Sequence, residues 1–380
     1  MNQIVLKELI SLTKGKKPQT ITSDEPIGFL PYVDIKAFET NIIEKYTDGE
    51  KCIECNDGDL LIVCDGSRSG LIGKAVKGYV GSTLARIDCD SRIDKDYLYY
   101  FIQSKYMLLN SNVKGTGTPH LKQDLLKSFS LILPSIEKQK QIVKQIEESL
   151  SQLDSAVETL NKTKQQLEIY RQAVLKEAFA NFKEFTTIRN TASLVTSGSR
   201  GWAKYYSASG AAFIRIGNLN RYDISISLDD LQCVKLPDHA EGVRSRLEPL
   251  DVLISITADL GSIGLVPYNI GEGYINQHIA LVRFKNKKQS RFLAWYLRSD
   301  IGQKELLKNK RGAGKLGLGL DDIRDSLIPI VDDTTAIEVV SKIEEKLVLC
   351  SNIEETVNQS LQQAEALRQS ILNQAFESNE

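Results

Sequence analysis

The chain has 380 residues, enough for two ordinary domains with proper cores. Its 42% hydrophobic and 26% charged residues describe a folded soluble chain and exclude a disordered one. A net charge of −1 excludes a uniformly basic nucleic-acid binder, although the total hides a segregation of charge described below.

The N-terminal residues Met1-Asn2-Gln3-Ile4 carry neither a basic nor an apolar leader region, and no apolar stretch approaches membrane-spanning length. A cytoplasmic location without membrane contact is therefore expected. The first globular segment, 1–133, begins with a short helical piece and then the cationic run Lys14-Gly15-Lys16-Lys17-Pro18. Its cysteines suit a reducing compartment. Cys52 and Cys55 have zinc-type spacing, which Cys64 and Cys89 would have to complete; no second close pair exists, so no metal and no cofactor are expected. Gly58-Asp59-Leu60-Leu61-Ile62-Val63 and Gly78-Tyr79-Val80 read as strands, and Tyr97 to Ser104 as an aromatic-rich helix. Two loops, one between the strands and one after the helix, can approach an anion closely: Gly66-Ser67-Arg68-Ser69-Gly70, and Lys114 to Lys122 with Thr116, Thr118 and His120.

Pro134 closes this segment and opens a long-helix segment, 134–182, with an unbroken helix expected over 142–179. Leu150, Leu153, Val157, Leu160, Leu167 and Val174 lie three and four apart on a seam, with Lys164 and Arg171 as polar members. The second globular segment, 183–328, repeats the first. Leu250-Asp251-Val252-Leu253-Ile254-Ser255, Gly273-Tyr274-Ile275 and Phe292 to Ser299 answer the strands and the helix. Its most conspicuous stretch runs from Ser199, Arg200 and Trp202 to Lys204, Tyr205 and Tyr206, with cations and aromatics suited to phosphates and base edges. Arg215, Asn218 and Arg221 flank another strand, and Lys310, Arg311 and Lys315 sit in the loop that answers Lys114 to Lys122. Pro329 opens the last segment, 329–380, with the seam Leu347, Cys350, Val357, Leu361, Ala364 and Ile371 interrupted by Glu354 and Arg368.

The two long helices say nearly the same thing. Arg171-Gln172-Ala173-Val174-Leu175-Lys176-Glu177-Ala178-Phe179 returns as Arg368-Gln369-Ser370-Ile371-Leu372-Asn373-Gln374-Ala375-Phe376, too long a period for a solenoid. Narrow seams of this length are best buried against each other, so an intramolecular antiparallel coiled coil is expected. Pairing about the midpoint would bring Lys164 to Glu354. The fold class expected is α/β: two α/β domains joined by two long helices in a pseudo-two-fold repeat. Charge follows the segments. Residues 1–133 hold 17 basic and 17 acidic side chains, 184–328 hold 20 and 15, and 329–380 hold 3 and 10.

Catalytic patterns are absent. There is no Asp-Pro-Pro-Tyr or Asn-Pro-Pro-Tyr run, neither Gly-Lys pair has a phosphate-loop context, and no histidine neighbours a nucleophile. Pro237-Asp238 lacks the partners of a nuclease carboxylate pattern. A non-enzymatic binding protein is expected.

The half-chain repeat, the Asp-x-Leu-Ile strands and the Pro-led helices ending in Arg-Gln-x-x-Leu-x-x-Ala-Phe together resemble the specificity subunits of type I restriction-modification systems. That resemblance covers essentially the whole chain. It implies two target-recognition domains, each reading half of an asymmetric bipartite site in double-stranded DNA. The helices would set the gap and dock two adenine-methyltransferase subunits, with ATP-dependent restriction subunits joining them. Methylation and cleavage would then belong to partners. The competing readings are a coiled-coil adaptor that binds no DNA and the recognition part of a fused restriction-methylation enzyme.

Overall fold

In both globular segments the Asp-led strand is the central piece. Leu60–Val63 and Val252–Ser255 are each four buried residues long. Because side chains alternate across a strand, Leu60 and Ile62 face a core built with Tyr97, Leu98 and Phe101. Leu61 and Val63 face the other way, toward Val33, Cys55 and Val80. The second copy repeats this alternation. Val252 and Ile254 pack with Phe292 and Trp295, and Leu253 packs with Ile214 and Ile275.

The computed structural model describes residues 3–114, 118–220, 222–236, 244–308, 310–311 and 317–377. The chain forms two units, residues 1–161 with 358–380 and residues 162–357. In unit 1 an antiparallel sheet runs Ile10–Lys14, Leu84–Cys89, Leu60–Val63, Ile72–Lys74. A smaller sheet lies across it, centred on the parallel pair Leu30–Val33 and Gly78–Val80. Unit 2 has the same plan. Its larger sheet runs Ala192–Ser197, Ile279–Phe284, Val252–Ser255, Ile263–Leu265, and its smaller sheet contains the parallel pair Ala211–Ile214 and Gly273–Ile275. The units are thus α/β repeats, mostly antiparallel, with one parallel pairing each among the described residues.

The aspartate of the repeated strand motif has a local cause. Asp59 accepts a hydrogen bond from the Asn56 N–H at 2.9 Å, and Asp251 accepts one from the Glu248 N–H at 2.8 Å. Each carboxylate closes the turn that launches the strand. Asp94 does the comparable work for the helix Lys95–Ser104, accepting from the backbone N–H groups of Asp96 and Tyr97.

The first long helix spans Ile136–Phe179 and the second Asp333–Glu377, each about 66 Å at 1.5 Å per residue. Pro134 thus precedes the first helix by two residues, and that helix starts six residues earlier than the seam alone suggests. Within unit 1, Ile142, Ile146 and Leu150 share a core with Ile371, Leu372 and Ala375. Within unit 2, Arg171 meets Glu354 at 2.8 Å and Glu177 meets Lys346 at 3.2 Å. Those pairs climb one helix while descending the other, so the pairing is antiparallel. Leu150, Leu153, Leu167, Leu347 and Val357 are buried, whereas Val157, Leu160, Leu361 and Ile371 are half-buried. The register is not the one expected from the midpoint: Arg171, two turns beyond Lys164, supplies the ion pair to Glu354. Each helix ends on an aromatic cluster. Phe376 packs edge-on against Tyr97 and Phe101 at 5.1 and 5.4 Å. Phe179 does the same to Phe292 and Tyr296 at 5.3 and 5.5 Å.

The six thiols are free, and burial pushes those of Cys55 and Cys64 up to about 11. Among the described residues no His, Cys, Asp and Glu cluster suits a metal ion, and no helix is long and apolar enough to cross a membrane.

Two glycines fix where the larger sheet crosses the smaller one. A Cβ on Gly15 would sit 2.2 Å from the Gly81 carbonyl oxygen, and one on Gly198 would sit 2.1 Å from that of Ile275. Backbone has to move for either to accept a side chain. Gly198→Ala is expected to destabilise unit 2 by about 1–3 kcal/mol, read as reduced hydrogen-exchange protection of Gly273–Ile275.

Candidate nucleic-acid interface

At one end of each larger sheet, four loop segments are tied together by backbone hydrogen bonds. In unit 1 the Cys64 N–H donates to the Thr83 carbonyl, the Leu121 N–H donates to Cys64, and Gly66 N–H donates to Pro119, all at 2.8 Å. Lys114 and His120 exchange a reciprocal pair at 2.9 and 2.8 Å, closing the loop between them. The Ser69 hydroxyl is directed at the carbonyls of Gly66, Cys64 and Pro119. Unit 2 repeats the ties: Ile256 N–H to His278, Leu318 N–H to Ile256, and a reciprocal pair between Arg311 and Gly317, at 2.9 to 3.0 Å. Loops far apart in sequence therefore become one surface.

In unit 1, Asp65 sits at the centre. Its carboxylate binds Lys14 Nζ at 2.8 Å and His120 Nδ1 at 2.7 Å. Burial pushes this carboxyl up, but the hydrogen bonds from Lys14 and His120 outweigh it and hold the group below its usual range. Asp65 is therefore ionised at neutral pH. Lys14 and His120 remain about half exposed, and Lys16, Lys17, Lys114 and Thr118 are exposed. Lys122 is half-buried just before the short helix Gln123–Ser128. Arg68 points elsewhere, into an ion pair with Glu39 at 2.8 Å. Thr116 lies outside the described residues.

Unit 2 corrects the sequence reading more strongly. Trp202 is only 5% exposed, stacked on Phe213 at 5.1 Å and tilted against Tyr274. It anchors the cationic loop, with its ring packed inside the unit. Asn218 is buried as well, its side chain accepting from the Arg215 N–H and donating to the Ser227 carbonyl. A turn holds both ends of that amide, and its burial keeps it from reaching a base edge. Ser199 is buried beneath Arg244, whose guanidinium donates to its hydroxyl at 3.2 Å. What the loop does offer is Arg200, exposed, Tyr206, exposed, and Lys204 over the half-buried Tyr205 ring at 4.9 Å. Lys310 is exposed, Arg215 is half-buried, and Arg311 holds the buried Asp322 at 2.9 Å while most of its side chain faces solvent. Arg221 and Lys315 lie outside the described residues.

Sequence reasoning missed the centre of this second surface. His278 Nδ1 lies 2.7 Å from the Thr257 hydroxyl, and its Nε2 lies 2.8 Å from the Gln277 amide nitrogen. Neither Thr257 nor Gln277 carries a motif, and Asp65 is 55 residues from His120. The available signal was that His278 follows the matched strand Gly273–Ile275 and His120 falls in the loop Lys114 to Lys122 already singled out.

A family model described as the type I restriction modification DNA specificity domain matches residues 1–169 and 245–363. The chain is similar to the MjaVIII specificity subunit of a type I restriction enzyme from Methanocaldococcus jannaschii, 33% identical over 174 residues. That alignment covers 45% of this chain and 40% of the relative, so it spans less than half of the relative's length. It is also similar to the EcoBI specificity subunit from Escherichia coli, 24% identical over 352 residues, covering 84% of this chain and 73% of the relative. Two solved structures share the fold. One comes from work on complex assembly and conformational transition of a type I restriction-modification system, with a TM-score of 0.76, 17% identity and coverage of 99% and 97%. The other is the HsdS subunit from Thermoanaerobacter tengcongensis, with a TM-score of 0.54, 16% identity and coverage of 99% and 96%.

Proposed function

The chain belongs to the type I restriction modification DNA specificity family, and on that premise we propose that it is the non-catalytic subunit that reads an asymmetric, bipartite site in double-stranded DNA. The observation that carries this reading is the repetition of one loop framework with different side chains. Unit 1 joins Lys14 and His120 through Asp65, with Lys16 and Lys17 exposed just beyond Lys14 in the chain, and unit 2 joins Thr257 and Gln277 through His278 and exposes Arg200, Lys204 and Tyr206. A shared scaffold with divergent reading surfaces suits two different half-sites. Cations around such a surface supply the phosphate contacts that set position, while groups able to meet base edges supply the sequence.

Methylation and cleavage then fall to partner subunits, and the long helices are their seat. Unpartnered apolar side chains support this: Ile169, Tyr170, Val348, Leu349 and Ile353 are all exposed on the helices of unit 2. A groove of about 460 Å³ in that unit runs beside them, bordered by Tyr222, Leu228, Tyr268, Trp295 and Val348. The partners fitting this reading are adenine-methyltransferase subunits, two because the helical sequence is duplicated, and ATP-dependent restriction subunits.

The test is quantitative DNA binding by the assembled complex. Arg200→Ala with Lys204→Ala is expected to weaken binding to all sequences about equally and to lower the slope of log affinity against log salt by about 2. Unchanged affinity and slope would remove the cationic loop from the interface.

A further inference from the structure

The two reading surfaces have one point in common that neither charge nor motif announced. The residue that follows the central strand by two positions, Asp65 in unit 1 and Thr257 in unit 2, bonds a histidine in both. The histidines come from different places. His120 lies across the backbone bridge from Asp65, whereas in unit 2 Gly317 occupies that bridge position. His278 instead follows the strand Gly273–Ile275, at the position held in unit 1 by Thr83, since both carbonyls receive the same backbone N–H. Equivalent spots have thus been filled by a histidine along two routes.

What each spot displays is different. In unit 2 both nitrogens of His278 are engaged, so the ring is a brace: one side meets Thr257 and the other meets Gln277. Gln277 is partly exposed and gives the brace one amide hydrogen, so its amide keeps a second N–H and a carbonyl oxygen to offer. A fixed amide with one donor and one acceptor complements N7 and N6 of adenine in the major groove. In unit 1 Asp65 takes a single hydrogen bond from the Lys14 ammonium, while His120 holds its other oxygen. Lys14 keeps two donors and half of its side-chain surface exposed. Two donors complement the O6 and N7 acceptors of guanine.

We propose that this position is a base-reading point in each unit, with Gln277 braced by His278 and Thr257 reading an adenine in one half-site, and Lys14 held by Asp65 reading a guanine in the other. The inference rests on the DNA-reading function proposed above. His278 and Asp65 act as positioning residues: they fix one end of the reading side chain, so that less rotamer entropy is lost when the base arrives.

The experiment selects bound sequences from a randomised duplex library with the complex of this chain and its methyltransferase partner. The wild-type complex should return two blocks of preferred bases. Gln277→Ala should relax one adenine in one block, with about tenfold to a hundredfold loss of discrimination there and none elsewhere. Gln277→Glu, which replaces a donor with an acceptor, should shift that same position toward cytosine, whose N4 donates. Lys14→Gln should relax one guanine in the other block. Unchanged preferences in the variants, or an affinity loss spread evenly over all sequences, would overturn the assignment while leaving DNA reading intact. A wild-type complex that selects no sequence would overturn both.

Discussion

Replacing Phe179 by Ala is expected to lower the stability of unit 2 by about 3–5 kcal/mol, the range for emptying a buried aromatic site. Phe179 is 2% exposed and lies among Phe182, Phe292 and Tyr296, three rings that would face a void too apolar to hydrate. The equivalent change at Phe376 should cost less, because that ring is only partly buried. Hydrogen exchange resolves the effect best, since a chain with two units need not unfold in one step. Loss of protection in Val252–Ser255 and Ser290–Arg298 is the expected result for Phe179→Ala. Protection unchanged there would mean that the helix end adds little to the domain core.

Removing Arg283 should be comparably severe for an electrostatic reason. Asp251 is fully buried, and its two oxygens take hydrogen bonds from Arg283 at 2.8 and 2.7 Å. In Arg283→Met the carboxylate keeps only the Glu248 N–H, and an orphaned buried charge costs about 3–5 kcal/mol. The pH dependence has a defined sign. Burial pushes the Asp251 carboxyl above its usual value, and without Arg283 little opposes it. A group whose folded pKa is raised favours the folded state when protonated, so the variant should be most stable in acid and lose stability as pH rises through that raised pKa. Adding Asp251→Asn removes the charge, keeps an acceptor for Glu248, and should restore most of the loss. Denaturation curves at several pH values check all three statements. A flat pH profile in Arg283→Met would show that the carboxylate finds another partner.

The two aspartates of the strand motif show how far sequence carries. Their repetition marked the strands and the duplicated plan, because a turn-closing carboxylate followed by a buried alternating run is a local device. The partners of those aspartates were not legible. Asp59 binds Lys95 and Asp251 binds Arg283, 36 and 32 residues away, and such pairings depend on how strands cross.

The sequence by itself determined the duplication, the α/β class, the two long helices with their apolar seams, and the absence of a catalytic signature. All of these follow from periodicity, turn chemistry and composition, which act over short stretches. Tertiary structure alone decided the rest. It buried Trp202 and Asn218 that the sequence offered as readers, moved the ion pair at Glu354 to Arg171, and brought Gln277, His278 and Thr257 together. A side chain's role as reader or scaffold depends on which surfaces the packed loops leave in water, and burial and hydrogen-bond saturation are properties of the assembled fold.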